Sequence, residues 1–178
     1  MKLKNNYNIN ILKLEKLSLR HLKDIHEYSS DPKFFKNLEF IESKKLSETR
    51  KYLKKRISEN DFKKNFWWAI KHVREKKAIG TFVIHDLNLE RMNCEISYGI
   101  SPNYQNKGFF KLIVKKMIKV LLKKKIVRIQ AITSIRNKAS INGLKKCGFK
   151  IEGTLRKYYK SIRNKKSYNA LILSIIKK

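Results

Sequence analysis

A mixed α/β domain of the α+β kind, with a mostly antiparallel sheet, one parallel crossover and flanking helices, is the fold class this sequence predicts. Three observations carry it. Three β-rich segments follow one another between residues 66 and 100, as an antiparallel meander requires. Helical and strand-like runs then alternate from 109 to 147, the order that builds a parallel crossover. The 178 residues are 42% hydrophobic and contain no repeat, low-complexity block or Pro/Gly/Ser-rich linker, so a single domain spanning 1–178 is expected.

The elements follow in order. Asn8 to Leu14 alternates apolar and polar side chains and reads as a first strand. Ser18 offers an N-cap for a helix over Leu19–Ser29, broken by Asp31-Pro32, and Ser47–Ser58 forms a second helix with Glu48 early and Lys54, Lys55 and Arg56 late, as the helix dipole prefers. Phe66–His72 and Ala78–Leu87 flank the polar Glu75-Lys76-Lys77 turn as a hairpin, and Cys94–Ile100 is the next strand. In Phe109–Lys124, Phe110, Val114, Met117 and Leu121 share one helical face while Lys111, Lys115 and Lys119 take another. Ile126–Thr133 is a strand, Ser140–Cys147 a short helix ending at Gly148, and Phe149–Arg156 and Tyr168–Ile176 close the chain as strands. Trp67 and Trp68 fall on opposite faces of their strand, one toward the core and the other free to face a ligand.

The formal charge of +30, from 44 Lys+Arg against 14 Asp+Glu, sets up a field that attracts polyanions. Lys is spread over the whole chain, and Lys, Asn and Ile are abundant together, as drift in an AT-rich genome produces. A nucleic-acid reader instead clusters Arg and Lys with aromatic residues. Cys94 and Cys147 have no CxxC spacing, so neither a disulfide framework nor a metal site is expected. No apolar run approaches the ~20 residues that span a bilayer, and Met1–Asn10 is polar. A cytoplasmic protein without membrane contact is the expectation.

Chemistry concentrates between Glu95 and Arg156. The segment SPNYQNKGFF runs from a strand end into a helix N-terminus, where unpaired N–H groups and the positive end of the helix dipole make an anion site. Gly108 allows close backbone approach to a phosphate, and Lys107 and Lys111 add charge.

This segment resembles the pyrophosphate loop of the GNAT N-acetyltransferases, Q/R-x-x-G-x-G/A, with Gln105, Gly108 and Phe110 at the three defined positions. Downstream, Asn137, Ser140, Gly148, Phe149, Glu152, Gly153 and Arg156 resemble the second signature of the branch that acetylates ribosomal-protein N-termini. The resemblance implies a GNAT fold, whose twisted sheet splays at one parallel strand pair, and acetyl-CoA as the donor. It implies that Ile100 and Ser101 pair with the pantetheine amides, that Gln105, Asn106, Lys107, Gly108, Phe109 and Phe110 hold the pyrophosphate, and that Asn137 holds the pantetheine arm or caps its helix. Phe110 departs from the Gly or Ala of the motif and is read as the first core residue of the helix.

Such an enzyme needs a base for the amine and an acid for the departing thiolate. Many relatives supply the acid from a Tyr four positions beyond Ser140, which here is Leu144, so Ser140 itself is the candidate acid. Glu95, on the strand leading into the loop, is the candidate base, with Glu152 second. Tyr98 and Tyr104 are candidates for the groove, and His85 and Asp86 for the acceptor pocket or a loop edge. The partners implied are acetyl-CoA and a primary amine: a protein N-terminus with association to the ribosome, or a small amine such as an amino-sugar nucleotide, a polyamine or an aminoglycoside. The protein is expected to act as a monomer or homodimer. The rival expectation is a basic ribosome- or RNA-binding module that keeps the fold without the chemistry.

Overall fold

The computed structural model describes residues 3–35, 42–60, 64–162 and 164–177. The strands are β1 (Asn6–Ile9), β2 (Leu12–Lys16), β3 (Phe66–His72), β4 (Lys77–Asn88), β5 (Asn93–Ile100), β6 (Arg128–Ser134), β7 (Lys150–Lys160) and β8 (Ser167–Ile176). The helices are α1 (Leu22–Ser29), preceded by a 3-10 turn at Leu19–His21, α2 (Leu46–Glu59), α3 (Phe109–Lys123) and α4 (Lys138–Lys146). One sheet of eight strands carries them in the order β1-β2-β3-β4-β5-β6-β8-β7. Every pairing is antiparallel except β5 with β6, as the crossover through α3 dictates.

The first predicted strand is in fact a hairpin. Asn10 turns the chain in the left-handed region at φ 55, and Tyr7 then pairs with Leu14 and Ile9 with Leu12. A two-residue turn preserves the period-2 alternation across it, so the pattern reads as one continuous strand.

Side chains alternating across the sheet feed two cores. Trp68, Ile70, Phe82 and Ile84 pack with Val114, Met117 and Leu121 of α3. Trp67, Ala69 and Val83 point to the other side and pack with Ile25 of α1 and Leu53 of α2. At roughly 1.5–3 kcal/mol for each fully buried large aliphatic or aromatic side chain, this two-sided burial is the main driving term for the layered arrangement. Among the described residues, no helix is long and apolar enough to cross a membrane.

The feature that positions the site is the incomplete ladder between β5 and β6. Asn93, Cys94 and Glu95 pair with Arg128, Ile129 and Gln130, and there the pairing stops. The outer edges stay zipped: β5 follows β4 up to Gly80–Ile100, and β6 follows β8 up to Ser134–Ala170. The two strands therefore diverge while each is held by its own neighbour, leaving a wedge through the sheet with the inner edge of Ile96–Ile100 outside any β5–β6 ladder.

Candidate active site

The loop after β5 enters α3 with Asn106 at φ 60 and Gly108 at φ 78. Gly108 stands at the N-cap position, where it supplies no side-chain cap, so the first N–H groups of α3 remain for an external acceptor. A Cβ at Gly108 would meet nothing within 4 Å, so the space above the loop is open. The positive φ is what requires glycine here.

Lys107, Gly108 and Lys111 continue into a cavity of about 770 Å³ that also takes in Lys115, Lys116 and Lys119 and the Asn8–Asn10 turn. The lysine face predicted for α3 thus borders the phosphate-ready loop. Helix N–H groups and five ammonium groups meet there, an arrangement that favours anions.

Two backbone groups assigned to pantetheine are already engaged. The Ile100 carbonyl accepts from Gln105 Nε2 at 3.0 Å, and the Ser101 N–H donates to the Ile79 carbonyl at 2.8 Å. A carbonyl has a second lone pair, so Ile100 can still accept. Gln105 itself braces the loop against the strand end.

At the wedge, a second cavity of about 860 Å³ runs from the α1–α2 side through the gap to α4. Ser97, Tyr98 and Gly99 of β5 line it, together with Ala131–Ser134 of β6 and Ser140 and Leu144 of α4. Two polar pairs meet its wall. The Tyr98 hydroxyl and Ser140 Oγ lie 2.8 Å apart, and His85 Nε2 and Ser97 Oγ lie 2.6 Å apart.

Burial raises the Tyr98 phenol well above its ordinary range, with the bond to Ser140 opposing, so it stays protonated and able to donate. Burial lowers His85, leaving a neutral imidazole at pH 7.

Ser140 is positioned by its own helix start: its N–H donates to Asn137 Oδ1 at 3.1 Å, which makes Asn137 the N-cap of α4. Phe110 packs its ring at 4.4 Å from that of Tyr98. It also lies so close to Gly143 of α4 that a Cβ there would approach Phe110 Cε1 to 2.7 Å. The departure from the loop motif therefore turns inward, as expected, and buttresses Tyr98.

Glu95 is half-buried on the same face as Ser97, directly across from His85, and accepts from Gln130 Nε2 at 3.1 Å. Burial raises its carboxyl, with the Gln130 bond opposing. It sits at the closed end of the wedge, and the cavity lining begins one residue beyond it, at Ile96. Glu152 is a strut. It accepts from Arg128 Nη1 at 2.8 Å and Nη2 at 2.5 Å and from Ser174 Oγ at 2.5 Å, and the guanidinium beside it holds its carboxyl down to about 2. Tyr104 lies outside the wedge and donates to Glu75.

The sequence reading passed over the Tyr98–Ser140 and Ser97–His85 pairs. It named Ser140, Tyr98 and His85 singly, without joining them, and gave Ser97 no role. Of the two tryptophans, Trp68 is core and Trp67 lines the cavity.

The GNAT acetyltransferase domain profile matches residues 12–150, and the chain belongs to that family. No curated protein matches the sequence. Three similar solved structures fix the fold. The microcin self-immunity acetyltransferase MccE, solved with acetyl-CoA and AMP, is 21% identical with a TM-score of 0.83, over 94% of this chain and 93% of its own. The ribosomal-protein alanine acetyltransferase of Vibrio fischeri is 20% identical with a TM-score of 0.80, over 96% of each chain. The spermidine N-acetyltransferase of Vibrio cholerae, solved with CoA and spermine, is 18% identical with a TM-score of 0.77, over 93% and 95%.

Proposed function

We propose that the protein transfers the acetyl group of acetyl-CoA to a primary amine across the β5–β6 wedge. The observation that carries this reading is the wedge itself, with an anion loop at one end and two proton-handling pairs at the other. Gln105–Phe110 and the α3 lysines hold the phosphates of the donor, and the free edge of β5 from Ile96 accompanies the pantetheine arm as a neighbouring strand would. The thioester then reaches the gap beside Tyr98, where an edge N–H of β5 is the local donor for the developing oxyanion.

The acceptor enters from the α1–α2 side. Its ammonium gives up a proton to the Ser97 hydroxyl as that hydroxyl passes its own to His85 Nε2. Glu95, across from His85, is the carboxylate behind this pair. The neutral nitrogen attacks the thioester carbonyl, the C–S bond breaks, and the thiolate takes a proton from Tyr98 or Ser140, which share one hydrogen bond. Tyr98 thereby supplies from β5 the hydroxyl that Leu144 does not supply from α4. The attacking nitrogen, cationic in the tetrahedral adduct, loses its second proton as the amide forms; that proton restores the Tyr98–Ser140 pair, and His85 releases the first to solvent.

The acceptor classes under this reading are a protein N-terminus, a ribosomal one included, and a small amine. A mass-spectrometric acetyl-transfer screen over amine classes, paired with thermal shift by acetyl-CoA, tests it. Absence of a Tm rise at millimolar acetyl-CoA overturns the donor assignment. Tight RNA binding with a steep salt slope and no donor binding would establish the basic binding module instead.

A further inference from the structure

The wall of the acceptor half holds two buried nitrogen atoms that lack an acceptor. Among the described residues, Arg56 Nε and Trp67 Nε1 are the two buried side-chain polar atoms without a hydrogen-bond partner. Both belong to residues lining the same cavity, and Trp67 is only 7% exposed. A buried donor left unmade is unfavourable, and an oxyanion brought to this wall is one acceptor that relieves it. Both atoms are donors and cannot satisfy each other.

The surroundings define what that acceptor is. The Arg56 guanidinium lies 5.1 Å over the Trp67 ring and 5.0 Å over Tyr52, and Glu59 occupies only its Nη1, at 2.7 and 2.8 Å. Elsewhere in the lining, Arg136 lies 4.8 Å over Tyr168. Lys33 is the third cation of the lining, and the described lining residues include no Asp or Glu. A substrate bringing a second positive charge meets three cations, of which Arg56 alone is paired with a carboxylate among those described, Glu59. A carboxylate or phosphate meets two guanidinium groups, which bind oxyanions in planar fashion, beside two N–H donors left unmade. The same positive lining favours the uncharged form of the reacting amine, which is the nucleophile.

We propose that the acceptor is a primary amine that also carries an anionic oxygen group, phosphate or carboxylate, seated against Trp67, Arg56 and Arg136. This rests on the amine-acetyltransfer reading and narrows its substrate class.

The test compares matched acceptors on the full-length protein: 2-aminoethyl phosphate against 2-aminoethanol for the phosphate arm, the dipeptide Ala-Glu against Ala-Gln for the carboxylate arm, and spermidine as the polycation. Acetyl-CoA binding is followed separately by thermal shift. The expected result is a kcat/KM at least about tenfold higher for the anionic member of one pair, the scale of a charge-assisted hydrogen bond. In Arg136→Gln, an exposed side chain whose loss leaves the core intact, that advantage shrinks, read as the ratio of kcat/KM between the two members of the pair. Whichever arm shows the preference names the oxyanion. Equal rates within both pairs, or a preference for spermidine, overturn the inference while donor binding stands. No donor binding overturns this inference together with the function it rests on.

Discussion

The two ends of the wedge are built in different ways. Apart from the Asn8–Asn10 turn at its edge, the donor end is one continuous segment, Ile100 to Lys119, whose chemistry lies in backbone N–H groups, one left-handed glycine and a lysine face repeating along a single helix. The acceptor end draws Arg56 from α2, Trp67 from β3, His85 from β4, Ser97 and Tyr98 from β5, and Ser140 from α4. The first is local and the second exists only once the sheet has closed. A local anion site tolerates the exchange of any one lysine, whereas the long-range pairs depend on register, so the two ends should respond differently to substitution.

The largest effect is expected at His85. Substitution to Gln removes the proton acceptor behind Ser97 and should lower kcat/KM by about 10²-fold or more while leaving the acetyl-CoA-induced Tm shift intact. The pH profile gives a second reading. Burial lowers His85, so its neutral form persists below the ordinary value of about 6.5 and the acid limb of kcat/KM should lie below that pH. The limb should disappear in the variant. If Glu95→Gln removes it and His85→Gln does not, the base is Glu95 and the Ser97–His85 pair is only structural.

Tyr98→Phe comes next. Loss of its hydroxyl should reduce kcat by about tenfold to a hundredfold with donor affinity nearly constant. Ser140→Ala should do less, because Tyr98 remains, and the double variant should fall short of the product of the two, since the hydroxyls share one hydrogen bond. Additive losses would mean that the two hydroxyls act independently.

At the donor end the pattern reverses. Gly108→Val forces a β-branched residue into φ 78 and places methyl groups in the open space above the loop. Backbone strain of about 1–3 kcal/mol would fall on the loop. The readout is a weaker Tm shift and a higher KM for acetyl-CoA, roughly tenfold, with kcat at saturating donor little changed. A lowered kcat at unchanged donor affinity would show that the loop does not hold the donor.

This contrast also explains what was legible. The β3–β4–β5 meander, α3 and the loop follow from patterns contained within ten to fifteen residues, and β3 coincides with its predicted bounds, Phe66–His72. The family resemblance concentrated there for the same reason. The β1–β2 turn was hidden because alternation runs through it unchanged. The His85–Ser97 pair was hidden because β4 meets β5 in a register fixed by a hairpin whose irregularity, between His85 and Asn88, no spacing rule announces. Tyr98 with Ser140 joins residues 42 positions apart, across α3 and β6. Glu95 was legible as a carboxylate beside the loop, but its position at the closed end of the wedge depends on where the β5–β6 ladder stops.

Phe110 joins the two ends and supports the smallest of these effects. It belongs to the loop by sequence and to the acid pair by packing, with its ring against Tyr98 on one side and over Gly143 on the other. If it acts by holding Tyr98, Phe110→Ala should lower kcat about three- to tenfold through a misplaced hydroxyl, at unchanged KM for acetyl-CoA, and Phe110→Leu should restore most of the loss. If instead the ring narrows the donor groove, the alanine variant should bind acetyl-CoA more tightly and accept butyryl-CoA in its place. The ratio of kcat/KM for the two donors separates these outcomes, and packing against Tyr98 predicts that the ratio does not move.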